Sequence, residues 1–447
     1  MSSTYQSAVE SLFALAPELW TSPGQKPRRK FDLEHMRVLT DALGYPERRF
    51  PSVLIAGTNG KGSTAATLAS ILSAAGHRTG LYTSPHLVRV NERIAIDGEA
   101  VSDSEFAEMH SRIESVSQAL VRAGKLDQHP SFFETLTAMA FEYFASAGVD
   151  LAVLEVGIGG RLDATNVADP MLSVITDISL DHMEWLGNTL TEIAREKLGI
   201  LRTKGTLITL PQHPEVNDAI GEAIRQLDAR VINANAYVPP ITPASAAFAV
   251  ESDGAPRNRY WLAVLGKQIA VDSPLTGRHQ LRNVALAVAA AVELNQGFGF
   301  KVSPQDISKG IANTRWPGRF QVLRGSPEIV LDVAHNPAGA WALRSALSSR
   351  YDGQPLTIIF GAMGDKAIGE IAEILFPLAE EVIAVKVDSP RAASGEEIRE
   401  IASHVGTSMI VEPDLRSAMR SVRQHSRPVV VTGSVYLVGA ALELLSK

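Results

Sequence analysis

Apolar residues along the chain fall into two alternating kinds of run. The stretches "SVLIAG", "RTGLYTS", "DLAVLEVG", "LSVITDIS" and "GTLITLP" are short and almost continuously apolar, as strands buried on both faces must be. Between them, "GSTAATLASILSAAG", "PSFFETLTAMAFEYFASAG" and "TLTEIAREKLGILR" carry apolar residues at helical spacing over helical lengths. This alternation predicts a parallel sheet with helices on both faces, because parallel strands need crossovers long enough to hold a helix. A second series begins at "EIVLDV" and continues through "LTIIFGAM", "EVIAVKVD", "SMIVEP" and "RPVVVTG". Two α/β domains are therefore expected, 1–312 and 313–447, with "NTRWPGRFQVL" at 313–323 as the connection because Pro317 and Gly318 break periodicity there. The polar, Pro- and Gly-richer stretch 230–278 is expected to form short antiparallel strands appended to the first domain.

Composition narrows the picture. At 447 residues each of two or three domains can bury its own core. With no cysteine, disulfides, thiolate metal sites and cysteine nucleophiles are all excluded. The start, "MSSTYQSAVESLFALAPELW", lacks a basic segment followed by a long apolar one, and "VALAVAAAV" at 284–292 is too short to span a bilayer, so a cytoplasmic protein without membrane contact is expected. A net charge of -7 and 6% aromatic residues argue against nucleic-acid binding, though small anionic substrates need only local positive charge.

The candidate chemistry starts at "AGTNGKGST", between an apolar strand and a helix. Such a glycine turn lets backbone N–H groups converge on phosphate oxygens at a helix N-terminus, while a lysine adds a point charge. The strict phosphate-loop pattern places Ser or Thr directly after the lysine, whereas here Gly62 separates Lys61 from Ser63 and Thr64. Further polar groups fall at predicted strand ends, where open parallel sheets bind ligands. They are Thr83 and Ser84, Glu155, Arg161 and Asp163, Asp177, Asp181 and His182, and in the second series Asp332, His335 and Asn336. Lys197 follows on a predicted helix. Taken singly, His182 reads as a hydrogen-bonded histidine, Lys197 as a helix-surface lysine and "FFET" as helix core. Their joint appearance at successive strand ends favours one composite site.

Eight segments, "AGTNGKGST", "TSPHL", "LEVGIGGRLDATN", "SLDHMEWLG", "REKLGI", "GRHQLRN", "WPGRFQ" and "LDVAHNP", stand in an order that resembles the bifunctional dihydrofolate synthase/folylpolyglutamate synthase enzymes of the Mur ligase superfamily. The resemblance implies an α/β protein: a Mur-ligase-like N-terminal P-loop ATPase domain with a mainly parallel sheet, and a smaller Rossmann-like C-terminal domain. It implies an ATP-dependent amide ligase adding L-glutamate to dihydropteroate and to the γ-carboxylate of reduced folates through an acyl phosphate.

By the same resemblance, ATP contacts Gly57, Thr58, Asn59, Gly60, Lys61, Gly62 and Ser63, together with Asn283, Arg319, Asp332, Val333, Ala334 and His335. Mg2+ is implied at Ser84, Glu155 and His182, and Lys197 matches a lysine that is carbamylated in the family. The pterin-bearing substrate is implied at Ser131, Phe132, Phe133, Glu134, Leu162, Asp163 and Ala164. The catalytic candidates are Lys61, Lys197, Arg319 and His335, the last two expected to act on the transferring phosphoryl group when the domains close. Partners are expected to be small molecules, acting on a monomer. A ligase of UDP-linked muropeptide precursors, a nucleotide-driven switch or kinase, and a non-catalytic folate-binding descendant remain alternatives. Glutamate-dependent phosphate release separates the ligase from the latter two.

Overall fold

The protein is described from a computed structural model, which covers residues 3–15, 33–240, 249–250, 256–424 and 426–446. It divides into two compact units. The first comprises 1–84, 90–237 and 285–310, and the second 85–89, 238–284 and 311–447.

The first unit is built on an eight-stranded sheet. In chain order its strands are β1 (Ser52–Ala56), β2 (Thr79–Tyr82), β3 (Ile94–Ile96), β4 (Glu99–Ala100), β5 (Leu151–Glu155), β6 (Leu172–Ile175), β7 (Thr206–Thr209) and β8 (Arg230–Asn233). Their spatial order is β4-β3-β2-β5-β1-β6-β7-β8. From β2 to β8 every pairing is parallel, whereas β3 and β4 add antiparallel at one edge. All five residues of β1 and of β5 are buried, which explains their unbroken apolar sequence. The helices Lys61–Ala74, Phe132–Ala147 and Leu190–Leu198 stand where helical periodicity predicts them.

The helix Asp103–Arg122, which apolar periodicity alone does not single out, begins with a capping box in which Ser102 and Glu105 satisfy each other's backbone N–H groups. Residues 284–292 lie inside the helix Arg278–Phe298, where Val284, Leu286, Val288 and Ala290 are buried. Among the described residues no helix is long and apolar enough to cross a membrane. Of the N-terminal segment, 1–2 and 16–20 lie outside the described residues.

In the second unit, β9 (Ala249–Val250), β10 (Pro256–Val264) and β11 (Lys267–Ser273) form an antiparallel sheet. The tight turn between β10 and β11 has Leu265 at φ 48° and Gly266 at φ 73°, the hand that matches strand twist. A six-stranded sheet follows: β12 (Gln321–Leu323), β13 (Ile329–Leu331), β14 (Leu356–Phe360), β15 (Ala379–Val385), β16 (Ser408–Glu412) and β17 (Val429–Thr432). Its order is β12-β13-β17-β14-β15-β16, parallel except for β12. Separate apolar clusters cover its two faces, one including Leu343, Ile371 and Ile398, the other Met419, Leu437 and Ala441.

The stretch 230–278 differs from expectation in two ways. Residues 230–233 form β8, a parallel edge strand of the first sheet, because Arg230 to Asn233 align along β7 in register. The antiparallel strands group with the second unit, where Arg257 donates to the carbonyl of Ala312 at 3.2 Å. Residues 241–248 and 251–255 of this stretch lie outside the described residues.

One helix contact in the first unit sets backbone directly against backbone. Gly310, in the helix Pro304–Asn313, lies so near the helix Lys61–Ala74 that a Cβ would stand 2.3 Å from the Cα of Ile71, and its carbonyl accepts the Ser70 hydroxyl at 2.7 Å. Gly310→Ala must push two backbones apart, so chemical denaturation should show a loss of about 1–3 kcal/mol.

Candidate functional site

The loop after β1 is shaped by the strand beside it. Gly57 has φ 154°, and a Cβ there would lie 1.8 Å from the Thr176 hydroxyl, so only glycine fits. Gly60, at φ 88°, precedes the helix Lys61–Ala74 and brings no side chain to cap it. The N-terminal amides of that helix, carried by Lys61, Gly62 and Ser63, are the groups an anion would satisfy. The segment after β6 grips this loop. Thr58 and Asn59 donate their N–H groups to the Asp177 carbonyl at 2.9 and 3.2 Å. The Thr58 hydroxyl is bonded to both the Ser179 carbonyl and the Ser179 N–H, at 3.0 and 3.1 Å.

Two lysines converge on one carbonyl of the loop. Lys61 Nζ donates to the carbonyls of Gly57 and Thr58, each at 3.2 Å, and Lys197 Nζ donates to that of Gly57 at 2.7 Å. Lys197 is buried within the helix Leu190–Leu198, so the exposed-lysine reading of the sequence does not hold. Burial, reinforced by the nearby Lys61 charge, pushes its amine down to about 7, against the pull of Asp181 and Asp163.

Several contacts fix its helix. Thr189 and Glu192 form a capping box at its start. At its end Arg161 N–H donates to the Glu196 carbonyl at 2.8 Å, and the Asn166 amide spans the carbonyls of Arg161 and Gly199 at 3.0 and 3.1 Å. Sequence reasoning passed over Thr176 and Asn166, although both are polar residues beside strand ends or glycine loops, which was the available signal.

Ser84 and Glu155 meet across β2 and β5, with the Ser84 N–H donating to Glu155 Oε2 at 3.0 Å. His182 adopts a left-handed backbone, φ 51°, ahead of the short helix Met183–Leu186. The Asp181 carboxylate accepts its N–H at 2.9 Å and lies 3.9 Å from its Nε2. Among the described residues no group of three or more His, Asp or Glu assembles as a metal cage. Ser84 and Glu155 together offer one hydroxyl and one carboxylate, a sparse oxygen pair of the kind that suits Mg2+, which keeps several waters and takes further oxygens from phosphate.

The segment 131–134 turns out to be divided between structural tasks. Ser131 and Glu134 close a capping box at the start of the helix Phe132–Ala147, with Glu134 Oε2 accepting the Ser131 N–H at 2.7 Å. Phe133 is buried in the core, where it fills the space a Cβ on Gly157 would need. Phe132 is half-buried, between the ring of Phe13 at 5.2 Å and the guanidinium of Arg93 at 5.1 Å. In the loop after β5, Asp163 is buried and accepts hydrogen bonds from the N–H groups of Gly157, Ile158 and Thr165 and from the Thr165 hydroxyl. Burial pushes its carboxyl up, and these bonds oppose the shift. Leu162 lines a recess with Ile158, Trp185 and Leu186, and Ala164 is buried.

In the second unit, the buried Asp332 ties two turns together. It accepts the Phe320 N–H at 2.8 Å and the Ala334 N–H at 2.9 Å, so the turn bearing Arg319 and the turn bearing His335 are held on one carboxylate. Burial raises Asp332, and the nearby Arg319 charge opposes that. His335 Nδ1 donates to the Val333 carbonyl at 2.9 Å, which fixes the proton on that nitrogen and directs Nε2 away. Asn336 caps the helix Pro337–Arg350 by accepting the Gly339 N–H. Asn283 is buried and donates to Gln280 Oε1 at 2.9 Å.

Comparison with known proteins places this arrangement. The Mur ligase middle domain model matches residues 55–291, and the Mur ligase glutamate ligase domain model matches 318–435. A dihydrofolate synthase/folylpolyglutamate synthase of Mycobacterium tuberculosis is 35% identical over 470 aligned positions, covering 94% of this chain and 92% of that protein. The one of Bacillus subtilis is 32% identical over 415, covering 91% and 93%. Among solved structures, Mycobacterium tuberculosis folylpolyglutamate synthase complexed with ADP and AMPPCP superposes with a TM-score of 0.81 at 33% identity, over 93% of this chain and 96% of that one. An FPGS-AMPPCP-folate complex superposes with a TM-score of 0.84 at 29% identity, over 99% and 100%. The chain therefore belongs to the Mur ligase family, in the branch of the dihydrofolate synthase/folylpolyglutamate synthases.

Proposed function

We propose that the protein is an ATP-dependent ligase that joins L-glutamate to dihydropteroate and to the γ-carboxylate of reduced folates. The observation that carries this reading is the convergence of Lys61 and Lys197 on the Gly57 carbonyl, in a glycine loop at the end of a parallel sheet. Relatives named dihydrofolate synthase/folylpolyglutamate synthase and a complex with AMPPCP and folate support it.

The chemistry is dictated by the reaction's energetics. Amide formation from a carboxylate and an amine is uphill in water, so the carboxylate first takes the γ-phosphoryl of ATP, giving ADP and an acyl phosphate. The glutamate α-amine then attacks the acyl carbon and expels phosphate. The loop amides and Lys61 hold the phosphates and offset charge as it develops. Arg319 and His335 are assigned to the transferring phosphoryl group, and Asn283, Asp332, Val333 and Ala334 to the remaining nucleotide contacts, by motif likeness. Ser84, Glu155 and His182 are assigned to Mg2+, which when bound supplies charge neutralisation at the phosphates. For the pterin we retain Phe132, Leu162 and their neighbours Ser131, Phe133, Glu134, Asp163 and Ala164, the side chains of Phe133 and Asp163 supporting the site from within the core. Phosphate release from ATP that requires both L-glutamate and dihydropteroate or a reduced folate tests the reading. Release independent of glutamate would instead make the protein a nucleotide switch.

Lys61→Ala removes the ammonium from the loop and should lower turnover by at least about two orders of magnitude with little change in melting temperature. Near-normal turnover would take the loop out of the mechanism.

Lys197 is assigned the role of a carbamate. Carbon dioxide adds only to a neutral amine, and the depressed pKa makes that form available near neutrality. The product is an anion that Lys61 and Mg2+ would attract rather than repel. Carbon-13-labelled CO2 should give a carbamate signal that Lys197→Ala abolishes along with most turnover. A fully active Lys197→Ala enzyme would refute the assignment.

For Phe132, its half-buried position predicts that Phe132→Ala raises the apparent constant for dihydropteroate far more than that for ATP. The stability cost should stay below the roughly 3–5 kcal/mol of a fully buried phenylalanine. An unchanged dihydropteroate constant with a large fall in melting temperature would make Phe132 core alone.

A further inference from the structure

We propose that Gln212 is a positioning residue of the nucleotide site, acting through the backbone of 176–178. Strands β6 and β7 end level, at Ile175 and Thr209, and the chain after β6 runs on into the segment that grips the phosphate loop. The Gln212 side chain supplies the missing pairing. Its Oε1 accepts the Ile178 N–H at 2.8 Å, and its Nε2 donates to the Thr176 carbonyl at 3.1 Å and approaches the Thr209 hydroxyl at 3.3 Å. A primary amide carries the same donor and acceptor as a peptide unit, so this side chain adds one rung to the parallel ladder where the main chain has turned away.

The opposite edge of that rung is the loop itself. The Thr176 N–H donates to the Ala56 carbonyl at 2.8 Å, and the Asp177 carbonyl receives the N–H groups of Thr58 and Asn59. Residues 176–178 are thus a single strip of backbone between Gln212 and the phosphate loop. The same strip leads directly to Asp181 and His182.

Gln212 is itself held in place. Its N–H donates to Asn217 Oδ1 at 3.1 Å, and Asn217 Nδ2 donates back to its carbonyl at 2.8 Å, from the helix Pro214–Leu227. The relay therefore runs from Asn217 through Gln212 and the 176–178 strip to the amides of Thr58 and Asn59. Without the Gln212 amide, Thr176 and Ile178 lose their partners on that edge, and the strip is free to shift by the fraction of an ångström that matters to phosphate-binding amides.

The inference rests on the ATP-dependent reading above, and calorimetry separates the two. AMPPCP with Mg2+ is titrated into the wild-type, Gln212→Met and Asn217→Ala proteins, and KM is measured for ATP and for dihydropteroate. Gln212→Met keeps the volume and removes all three side-chain hydrogen bonds. It should weaken AMPPCP at least about tenfold and raise KM for ATP in parallel, with KM for dihydropteroate unchanged within about twofold. Asn217→Ala should give a smaller loss of the same selective kind, and should add nothing in the Gln212→Met background because both act through one relay. AMPPCP affinity within about twofold of wild type for Gln212→Met, or an equal loss for dihydropteroate, overturns the inference. If Gln212→Met does not fold, an Asn217→Ala protein with unaltered nucleotide affinity overturns it. A wild-type protein that binds no AMPPCP strikes at the ligase reading instead.

Discussion

The first unit depends on the pairing of the loop after β1 with the segment after β6. The Asp177 carbonyl takes two successive amides of that loop, while Thr176 occupies the space beside Gly57. That pairing is only available because β1 and β6 are adjacent and parallel, so that both strands end on the same edge of the sheet. A glycine loop in isolation has many conformations of similar energy, and the neighbouring backbone selects one. Two lysines are placed relative to this loop: Lys61 folds back over it, and Lys197 reaches its Gly57 carbonyl from 140 residues away in sequence.

Charge is arranged around buried lysine and carboxylate groups rather than around a surface patch. Lys197 and Asp163 are both buried, and each is held by groups of its own unit. Removing either side chain would leave polar atoms without partners inside the unit, which is costlier than losing a surface pair. Asp332 plays the comparable part in the second unit, where two backbone amides from turns 14 residues apart meet on its carboxylate. In each unit a buried acid holds a loop beside a strand end through backbone amides. The alternative, loops fixed by their own glycines and prolines, would leave the reacting groups less precisely aimed.

Much of the architecture was legible from periodicity. The strands buried on both faces announced themselves as short apolar runs, and the helices Lys61–Ala74 and Phe132–Ala147 as long segments of period 3.6. Where periodicity failed, burial was incomplete. Strand β8 is largely exposed and carries no apolar run, so nothing in its residues distinguished an edge strand from a loop. The strands β10 and β11 were recognisable as antiparallel, but their allegiance to one unit or the other depends on contacts such as that of Arg257 with Ala312.

The chain's order of residues was enough to establish two α/β units, a phosphate loop between a strand and a helix, and polar groups at strand ends. All of these follow from local spacing and from which side chains can be buried. It left undecided what each polar group does. "FFET" reads by itself as helix core, and only by resemblance as a ligand segment, until Ser131 and Glu134 are seen to cap one another and Phe133 to fill the space beside Gly157. Lys197 reads as a surface residue until its helix is fixed by Arg161 and Asn166, and its amine is buried against Gly57. The physical reason is common to both: a side chain's role depends on solvent access and on partners distant in sequence, and neither exists before the sheet brings the strand ends together.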